Sequence, residues 1–209
     1  VAAAKDSVIW VGTEASHLTS FNGKKWDEGE TGDAFWVATD SEGAVWYANN
    51  PTTLFRTNAA SDTNFMLGVP STAFARQVLV LSPRRVVVLG EVQVNSTTHH
   101  FTMLDGTELT PHRNPRGTPL NCVTAAANGD LYFGTNTGFA RFHNGEWEFV
   151  ELELGQLPSN QLNDVLRIGS VVWIASRGGV TRFDGTTWAT LDPPTIGIGG
   201  EPVSLAPDG

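Results

Sequence analysis

The sequence predicts an all-β fold made of repeated four-stranded antiparallel sheets. A short apolar element recurs five times along the 209 residues, at intervals of about 40 residues. Asn-Gly and Asp-Gly pairs stand between alternating apolar runs, which is a strong hairpin signal because type I′ turns need positive φ at both central residues. Segments with the helical spacing of apolar residues are essentially absent.

The recurring element is an apolar strand, usually centred on an aromatic residue. Its five copies are Val8–Thr13, Ala44–Asn49, Val86–Glu91, Asp130–Thr135 and Val171–Ser176. A shorter strand and a polar turn precede the element, and a strand, a tight turn and an aromatic residue follow it. Each copy therefore supplies strands A, B, C and D of a meander, and a period near 40 residues is typical of a β-propeller blade.

Within each repeat we expect the element to be strand B, over Ile9–Thr13, Val45–Asn49, Val86–Leu89, Leu131–Thr135 and Val171–Ser176. The repeats run approximately over 1–33, 34–74, 75–119, 120–160 and 161–201, with a further A-type strand in 202–209. Because that extra strand makes a non-integer number of blades, we predict a segment of a six- to eight-bladed propeller. The alternative is a five-bladed ring with a spare terminal strand. In either case 1–209 is a single domain.

Composition excludes several classes of function. The formal charge of −9 and the lack of a basic run argue against binding to nucleic acid or to an anionic membrane surface. No apolar stretch approaches the roughly 20 residues that span a bilayer, so direct membrane insertion is not expected. The single cysteine, Cys122, is expected to be buried, and the recurrent tryptophans 10, 26, 46, 147, 173 and 188 are expected to form the core.

The last two repeats resemble the two-component-regulator propeller repeat. The family pattern is a D-G turn, an L-W-I/V-G-T strand, then G-L-x-R-F/Y-D-G and an aromatic residue. Repeat five matches through Val171–Ser176, Gly178–Gly185 and Trp188, and repeat four matches through Leu131–Thr135 and Gly138–Gly145. The resemblance implies an extracytoplasmic sensor or surface protein, periplasmic or secreted, without fixed catalytic residues or a single ligand. No signal peptide is recognisable, and we expect the sequence to be part of a longer polypeptide.

Catalytic and metal-binding signatures give little support for an enzyme. The sequence has no nucleophile elbow, zinc helix, Cys-x-x-Cys pair or phosphate-binding loop. The histidines 99, 100 and 112 are poor metal ligands as a set, because neighbouring residues on a strand point to opposite faces. The acidic residues 27–33 lack the alternating pattern of a calcium loop. We therefore predict no cofactor, no metal and no catalytic residue.

We predict that the protein is a recognition module that binds a small molecule, a glycan or a protein. The rest of a larger propeller is expected as a further partner. The alternatives are an assembly scaffold and a carbohydrate-active enzyme. Binding residues concentrate on variable loops held by a rigid frame, so we expect the site on the face formed by the B–C loops and the connections between blades, taken to be long. The candidate residues are Glu14, Asn49, His99, Arg116, Asn136 and Arg177.

Overall fold

A computed structural model describes residues 2–3, 8–12, 17–31, 36–50, 53–58, 61–67, 75–151, 157–159, 161–191, 202 and 204–205. Twenty strands form five separate four-stranded antiparallel sheets, and each sheet has the order A-B-C-D along the chain. None of the residues in these ranges is helical. The predicted all-β fold and meander are confirmed. All five predicted B strands occupy the second position of their sheets, and no two of them share a sheet.

The chain divides into two compact units, Val1–Arg113 and Asn114–Gly209. The first unit holds blades 1, 2 and 3. Blade 1 contains β1 (Ala2–Ala3), β2 (Ile9–Gly12), β3 (His17–Phe21) and β4 (Trp26–Thr31). Blade 2 contains β5 (Trp36–Thr39), β6 (Val45–Asn50), β7 (Thr53–Asn58) and β8 (Ser61–Met66). Blade 3 contains β9 (Gln77–Ser82), β10 (Arg85–Val94), β11 (Thr97–Asp105) and β12 (Glu108–His112).

The second unit holds blades 4 and 5. Blade 4 contains β13 (Leu120–Ala125), β14 (Leu131–Thr135), β15 (Gly138–His143) and β16 (Glu146–Glu151). Blade 5 contains β17 (Leu162–Ile168), β18 (Val171–Ser176), β19 (Gly179–Phe183) and β20 (Trp188–Leu191). The Asn-Gly turn of blade 4 has positive φ at both residues, 50° at Asn144 and 86° at Gly145, as the type I′ hairpin requires.

Blade 3 corrects the expectation of a long B–C loop over Glu91–His100. Strands β10 and β11 instead continue past a bulge between Leu89 and Val92 and meet in a two-residue turn. Asn95 and Ser96 both have positive φ, 48° and 63°, so the turn closes without a glycine. The flanking residues favour strands because they are rich in valine and threonine.

The core of each unit lies between neighbouring sheets. In the first unit, Trp46, Leu54, Val86 and Leu104 are buried in one cluster that joins blades 2 and 3. In the second unit, the buried cluster joins blades 4 and 5 and consists of Cys122, Phe139, Leu157, Leu162, Val165, Val172 and Ile174. The expected burial of Cys122 is confirmed, and burial raises the pKa of its thiol to about 12.

The tryptophans do not all belong to the core, contrary to the prediction. Trp46 is 1% exposed and donates its indole N–H to Asp40, whereas Trp26 is 55% exposed. Trp26 lies at the start of the outermost strand of blade 1 and packs on Phe21, with ring centroids 4.9 Å apart. A D strand has a neighbour in the sheet on one side only, which explains why an aromatic residue there keeps much of its surface exposed.

The inner strands of the second unit are linked by a repeated contact. The Asn121 side chain donates to the carbonyl of Leu162 at 3.3 Å, so that β13 is tied to β17. The Asn163 side chain donates in the same way to the carbonyl of Pro202 at 3.0 Å. Residues 202 and 204–205 therefore lie beside β17 as β17 lies beside β13. They are not in a strand, which corrects the expected strand at Pro202–Ala206 for the residues described. The choice between an open segment and a closed ring stays a prediction.

Candidate functional site

The six predicted site residues are spread over both units. Glu14 lies outside the described residues, and Asn49 is in β6 with a side chain that is not described. His99 is half-buried in β11, where its Nδ1 lies 3.1 Å from the carbonyl of Thr97. Asn136, Arg177 and Arg116 are in the second unit, and the structure brings the first two onto equivalent turns.

Asn136 and Arg177 are exposed on the B–C turns of blades 4 and 5. In each turn a buried hydroxyl at the end of strand B donates to the carbonyl of the glycine that begins strand C. The distances are 2.8 Å from Thr135 to Gly138 and 3.4 Å from Ser176 to Gly179. Each turn has two residues between its strands, so these loops are short, contrary to the expectation of long variable loops. Both turns share this hydrogen bond, but their second residues differ in conformation, since φ is 112° at Gly178 and is not positive at Thr137.

Both turns are also fixed to the inner strands. The side-chain amide of Asn121 in β13 donates to the side-chain oxygen Oδ1 of Asn136 at 2.8 Å, as well as to the backbone carbonyl of Leu162. The backbone amide of Arg177 donates to the carbonyl of Gln161, which precedes β17, at 3.2 Å. Asn121 was not among the site residues predicted from the sequence. The signal that identifies it is the Leu-Asn pair that opens the A strand in both blades, at 120–121 and 162–163.

Arg116 differs from the expectation that it lies near the inner strands. Its guanidinium is 4.2 Å from the ring centroid of Phe149, which belongs to β16, the outermost strand of blade 4. Its backbone amide donates to the side chain of Asn114, and Asn114 in turn donates to Thr118. The connection that enters blade 4 is therefore ordered by a buried asparagine and is directed toward the blade's outer edge.

A cleft of about 390 Å³ lies between blades 4 and 5, close to their A–B and C–D turns. It extends from these turns along the strands to Phe139 and Val150, and sequence reasoning did not identify it. Residues from both sheets line it, namely Tyr132, Phe139, Arg141, Glu148 and Val150 of blade 4, and Arg167, Ser170, Val172, Phe183 and Gly185 of blade 5. It exists only because two sheets meet there, so no local motif marks it.

The aromatic residues of this cleft form one connected group. Phe139 lies 6.4 Å from Phe183 and 6.4 Å from Tyr132, measured between ring centroids. Phe183 in turn stacks on Trp188 at 4.1 Å. These separations are within the range of favourable aromatic pairs, so the walls of the cleft are held in place by their own packing.

The charged residues of the cleft have different surroundings. Arg141 is bound to the buried carboxylate of Asp130 at 2.6 Å and to Glu148 at 3.1 Å. Burial alone would raise the pKa of Asp130, but hydrogen bonds from His143, Arg141 and Asn128 outweigh it and hold that pKa at about 2. Arg167 donates to the carbonyl of Gly169 at 2.8 Å and lies against Tyr132, and no described carboxylate forms an ion pair with it.

The structure describes the surroundings of His100, His112 and His143. His100 is buried, and His112 stacks on Phe101 with ring centroids 4.7 Å apart. Burial lowers the pKa of His112, and the nearby His99 lowers it further. Among the residues described, no three His, Cys, Asp or Glu side chains are grouped as metal ligands would be. In blade 4 the ring nitrogens of His143 face Asp130 and Asn144, so both of them are engaged in structural contacts.

No family model matches this sequence, and no curated protein matches it either. Solved structures do match. The extracellular domain of BT4673 from B. thetaiotaomicron, described as a one-component or hybrid two-component system, is 12% identical with a TM-score of 0.68, over 87% of this chain and 26% of that one. Virginiamycin B lyase from Staphylococcus aureus is 12% identical with a TM-score of 0.70, over 90% of this chain and 67% of that one.

PorZ, a surface component of the type-IX secretion system of Porphyromonas gingivalis, is 14% identical with a TM-score of 0.63, over 91% of this chain and 33% of that one. This chain thus spans about a quarter of the BT4673 domain. At these identities the likeness shows the β-propeller fold alone. In the described part of the chain, no helix has the length and apolar character needed to cross a membrane.

Proposed function

We propose that this protein is a non-enzymatic recognition module of an extracytoplasmic sensor or surface protein. The observation that carries the proposal is the pair of B–C turns in blades 4 and 5. A buried hydroxyl makes the same contact with the glycine carbonyl in both turns, while the exposed residue changes from Asn136 to Arg177. A rigid scaffold that carries varied polar side chains is the arrangement that binding loops use.

The environment of these turns favours ligand contact by side chains over catalysis. The side-chain oxygen Oδ1 of Asn136 accepts a hydrogen bond from Asn121. The side-chain N–H groups of Asn136 are therefore the atoms that can donate to a ligand. The guanidinium of Arg177 adds a planar set of donors that suits carboxylate or hydroxyl groups of a glycan or protein. The extracellular domains among the similar structures favour an extracytoplasmic location for this chain.

The two alternatives differ from the recognition module in what they require. An assembly scaffold requires self-association through sheet edges or faces and no soluble ligand. A carbohydrate-active enzyme requires two carboxylates facing one cleft. The lyase among the similar structures shows that this fold can carry catalysis in another protein. In the cleft of this chain, however, the carboxylate Glu148 is paired with Arg141.

The test is a glycan array together with a thermal-shift screen of metabolites on three proteins. These are the wild type, the double variant Asn136→Ala/Arg177→Ala and the control Arg182→Ala/Thr186→Ala. The control removes one arginine and one polar side chain at the other end of blade 5. We expect the wild type and the control to bind the same compounds, and the double variant to bind about tenfold more weakly with a melting temperature lowered by no more than about 4 °C, since it loses one hydrogen bond from Asn121.

Two results would contradict the proposal. If all three proteins bind a compound equally, the B–C turns are not the site. If the wild type binds no compound but self-associates in analytical ultracentrifugation, the scaffold is the better interpretation.

A further inference from the structure

The cleft between blades 4 and 5 has chemistry of its own, separate from the B–C turns. Its inner part is apolar, since Phe139, Val150, Val172 and Phe183 contribute to its walls. Its volume of about 390 Å³ lies within the range of small-molecule sites, roughly 300–1,000 Å³. A ligand of that size would contact both sheets that line the cleft.

One cation in the cleft has no matching anion. Arg141 is neutralised by Asp130 and Glu148, but Arg167 makes only neutral contacts among the residues described. Its Nε donates to the carbonyl of Gly169, and its Nη1 lies 3.4 Å from the hydroxyl of Tyr132. The remaining guanidinium N–H groups are therefore available to an acceptor in the cleft.

The hydroxyl of Tyr132 adds a second donor beside this guanidinium. When it accepts from Arg167, its own O–H has no described acceptor and can be directed into the cleft. An arginine fork and a phenolic O–H side by side match the two oxygens of a carboxylate. The aliphatic and aromatic walls match an apolar body attached to that carboxylate.

Glu148 restricts the charge that a ligand can carry. It also lines the cleft, so a second negative group on the ligand would meet a carboxylate. This argument favours a monoanion over a dianion such as a phosphate monoester. It also favours one acidic end over a ligand that is acidic throughout.

We propose that the cleft between blades 4 and 5 binds a small amphipathic monocarboxylate, whose acid group is held by Arg167 and Tyr132 and whose apolar body packs against Phe139, Val172 and Phe183. The site is independent of the proposed function. Neither Asn136 nor Arg177 lines it.

The experiment uses 4-phenylbutyrate as the probe and its neutral amide, 4-phenylbutanamide, as the matched ligand. Binding to the full chain is measured by isothermal titration calorimetry and by amide chemical-shift changes at Ser170 and Gly185. We expect saturable binding of the acid in the millimolar range and binding of the amide at least about tenfold weaker, because a charge-assisted hydrogen bond is lost.

Four variants locate the site. Arg167→Gln is expected to weaken the acid about tenfold with little effect on the amide, and Arg167→Lys is expected to recover part of the loss. Tyr132→Phe keeps the ring and removes only the hydroxyl, and it should weaken the acid severalfold. Ser170→Trp fills the mouth of the cleft from an exposed position, so it should abolish binding without loss of folded structure.

The control is Asn136→Ala/Arg177→Ala, which should bind the acid like the wild type and which separates this proposal from the proposed function. Equal binding of acid and amide, or unchanged affinity of a folded Arg167→Gln protein, would overturn the carboxylate site. Binding that survives Ser170→Trp would place the probe elsewhere and would also overturn it.

Discussion

Blades 4 and 5 carry the same sequence pattern but fix its arginine in different ways. In both, the aromatic residue of strand B is paired with an arginine of strand C, Tyr132 with Arg141 and Trp173 with Arg182. Arg141 is held by a carboxylate that is 1% exposed, while among the residues described Arg182 forms an ion pair only with the partly exposed Asp184, at 3.7 Å. The repeated motif therefore specifies the pairing of strands B and C. The residue before strand B determines whether a buried carboxylate holds the arginine of strand C.

The same two blades differ at the pairing of strands A and B. In blade 4 Cys122 faces Gly134, and in blade 5 Asp164 faces Ala175 at the matching position. A methyl group on Gly134 would collide with the Cys122 sulfur and come within 3.1 Å of the Leu162 Cβ. Asp164 instead accepts hydrogen bonds from Leu205 and Ser204, and Ala175 is fully buried without strain. Gly134 is thus required because its neighbours leave no room for a methyl group, and not because of its own φ angle.

The largest expected effect comes from removing the buried carboxylate that binds Arg141 in blade 4. Asp130→Ala should lower the free energy of unfolding by about 3 kcal/mol, because Asp130 is a buried acceptor of hydrogen bonds from Arg141, His143 and Asn128, each of which contributes about 1 kcal/mol. Urea unfolding followed by tryptophan fluorescence measures this loss. Arg182→Gln in blade 5 is the matched control and should leave stability nearly unchanged, as exposed pairs contribute little. Equal losses in the two variants would refute the comparison.

A second change tests the packing around Gly134. Gly134→Ala should cost about 2 kcal/mol, since an added methyl must displace the Cys122 sulfur or strand β17. Denaturant unfolding gives the value, and Cys122→Ala combined with Gly134→Ala should recover part of it by removing the sulfur. If Gly134→Ala is neutral, the sheets are less tightly packed at this point than the structure indicates.

The pH dependence of stability provides a third test of Asp130. Its folded pKa of about 2 is below the ordinary value of 3.8, so the unfolded chain binds its proton more readily. The stabilisation is therefore complete above about pH 4 and is lost as the pH falls toward 2, at a cost of about 2 kcal/mol. Asp40 and Asp184 also have lowered pKa values, so the measurement is the wild type minus Asp130→Ala. A difference that does not change with pH would show that the pKa of Asp130 is the same in the folded and unfolded protein.

The smallest effect is expected at the ends of the inner strands. Asn163→Ala removes one hydrogen bond to Pro202 and should cost about 1 kcal/mol. Asn121→Ala removes bonds to both Leu162 and Asn136 and should cost more. Thermal unfolding of the two variants compares them. If Asn163→Ala is the more damaging change, the contact of residues 202 and 204–205 with β17 contributes more than the junction of β13 with β17.

Much of the fold follows from local sequence. The five B strands, their second position in each sheet and the burial of Cys122 were all predictable, because period-2 alternation and Asn-Gly or Asp-Gly turns act over a few residues. The B–C hairpin of blade 3 was mispredicted as a loop, since Asn95-Ser96 is a weaker turn signal than Asn-Gly. Trp26 was mispredicted as a core residue because sequence similarity between repeats does not reveal which strand ends up outermost.

The sequence by itself determined the number of sheets, their strand order and the resemblance to a sensor-type propeller repeat. Only the tertiary structure decided which residues from different blades meet. In the structure, Asn121 contacts Asn136, Arg116 packs on Phe149, and Arg167 and Tyr132 line a cleft between two sheets. The physical reason is that turn preference and alternation are properties of neighbouring residues, whereas a binding site joins side chains that are tens of residues apart in the chain.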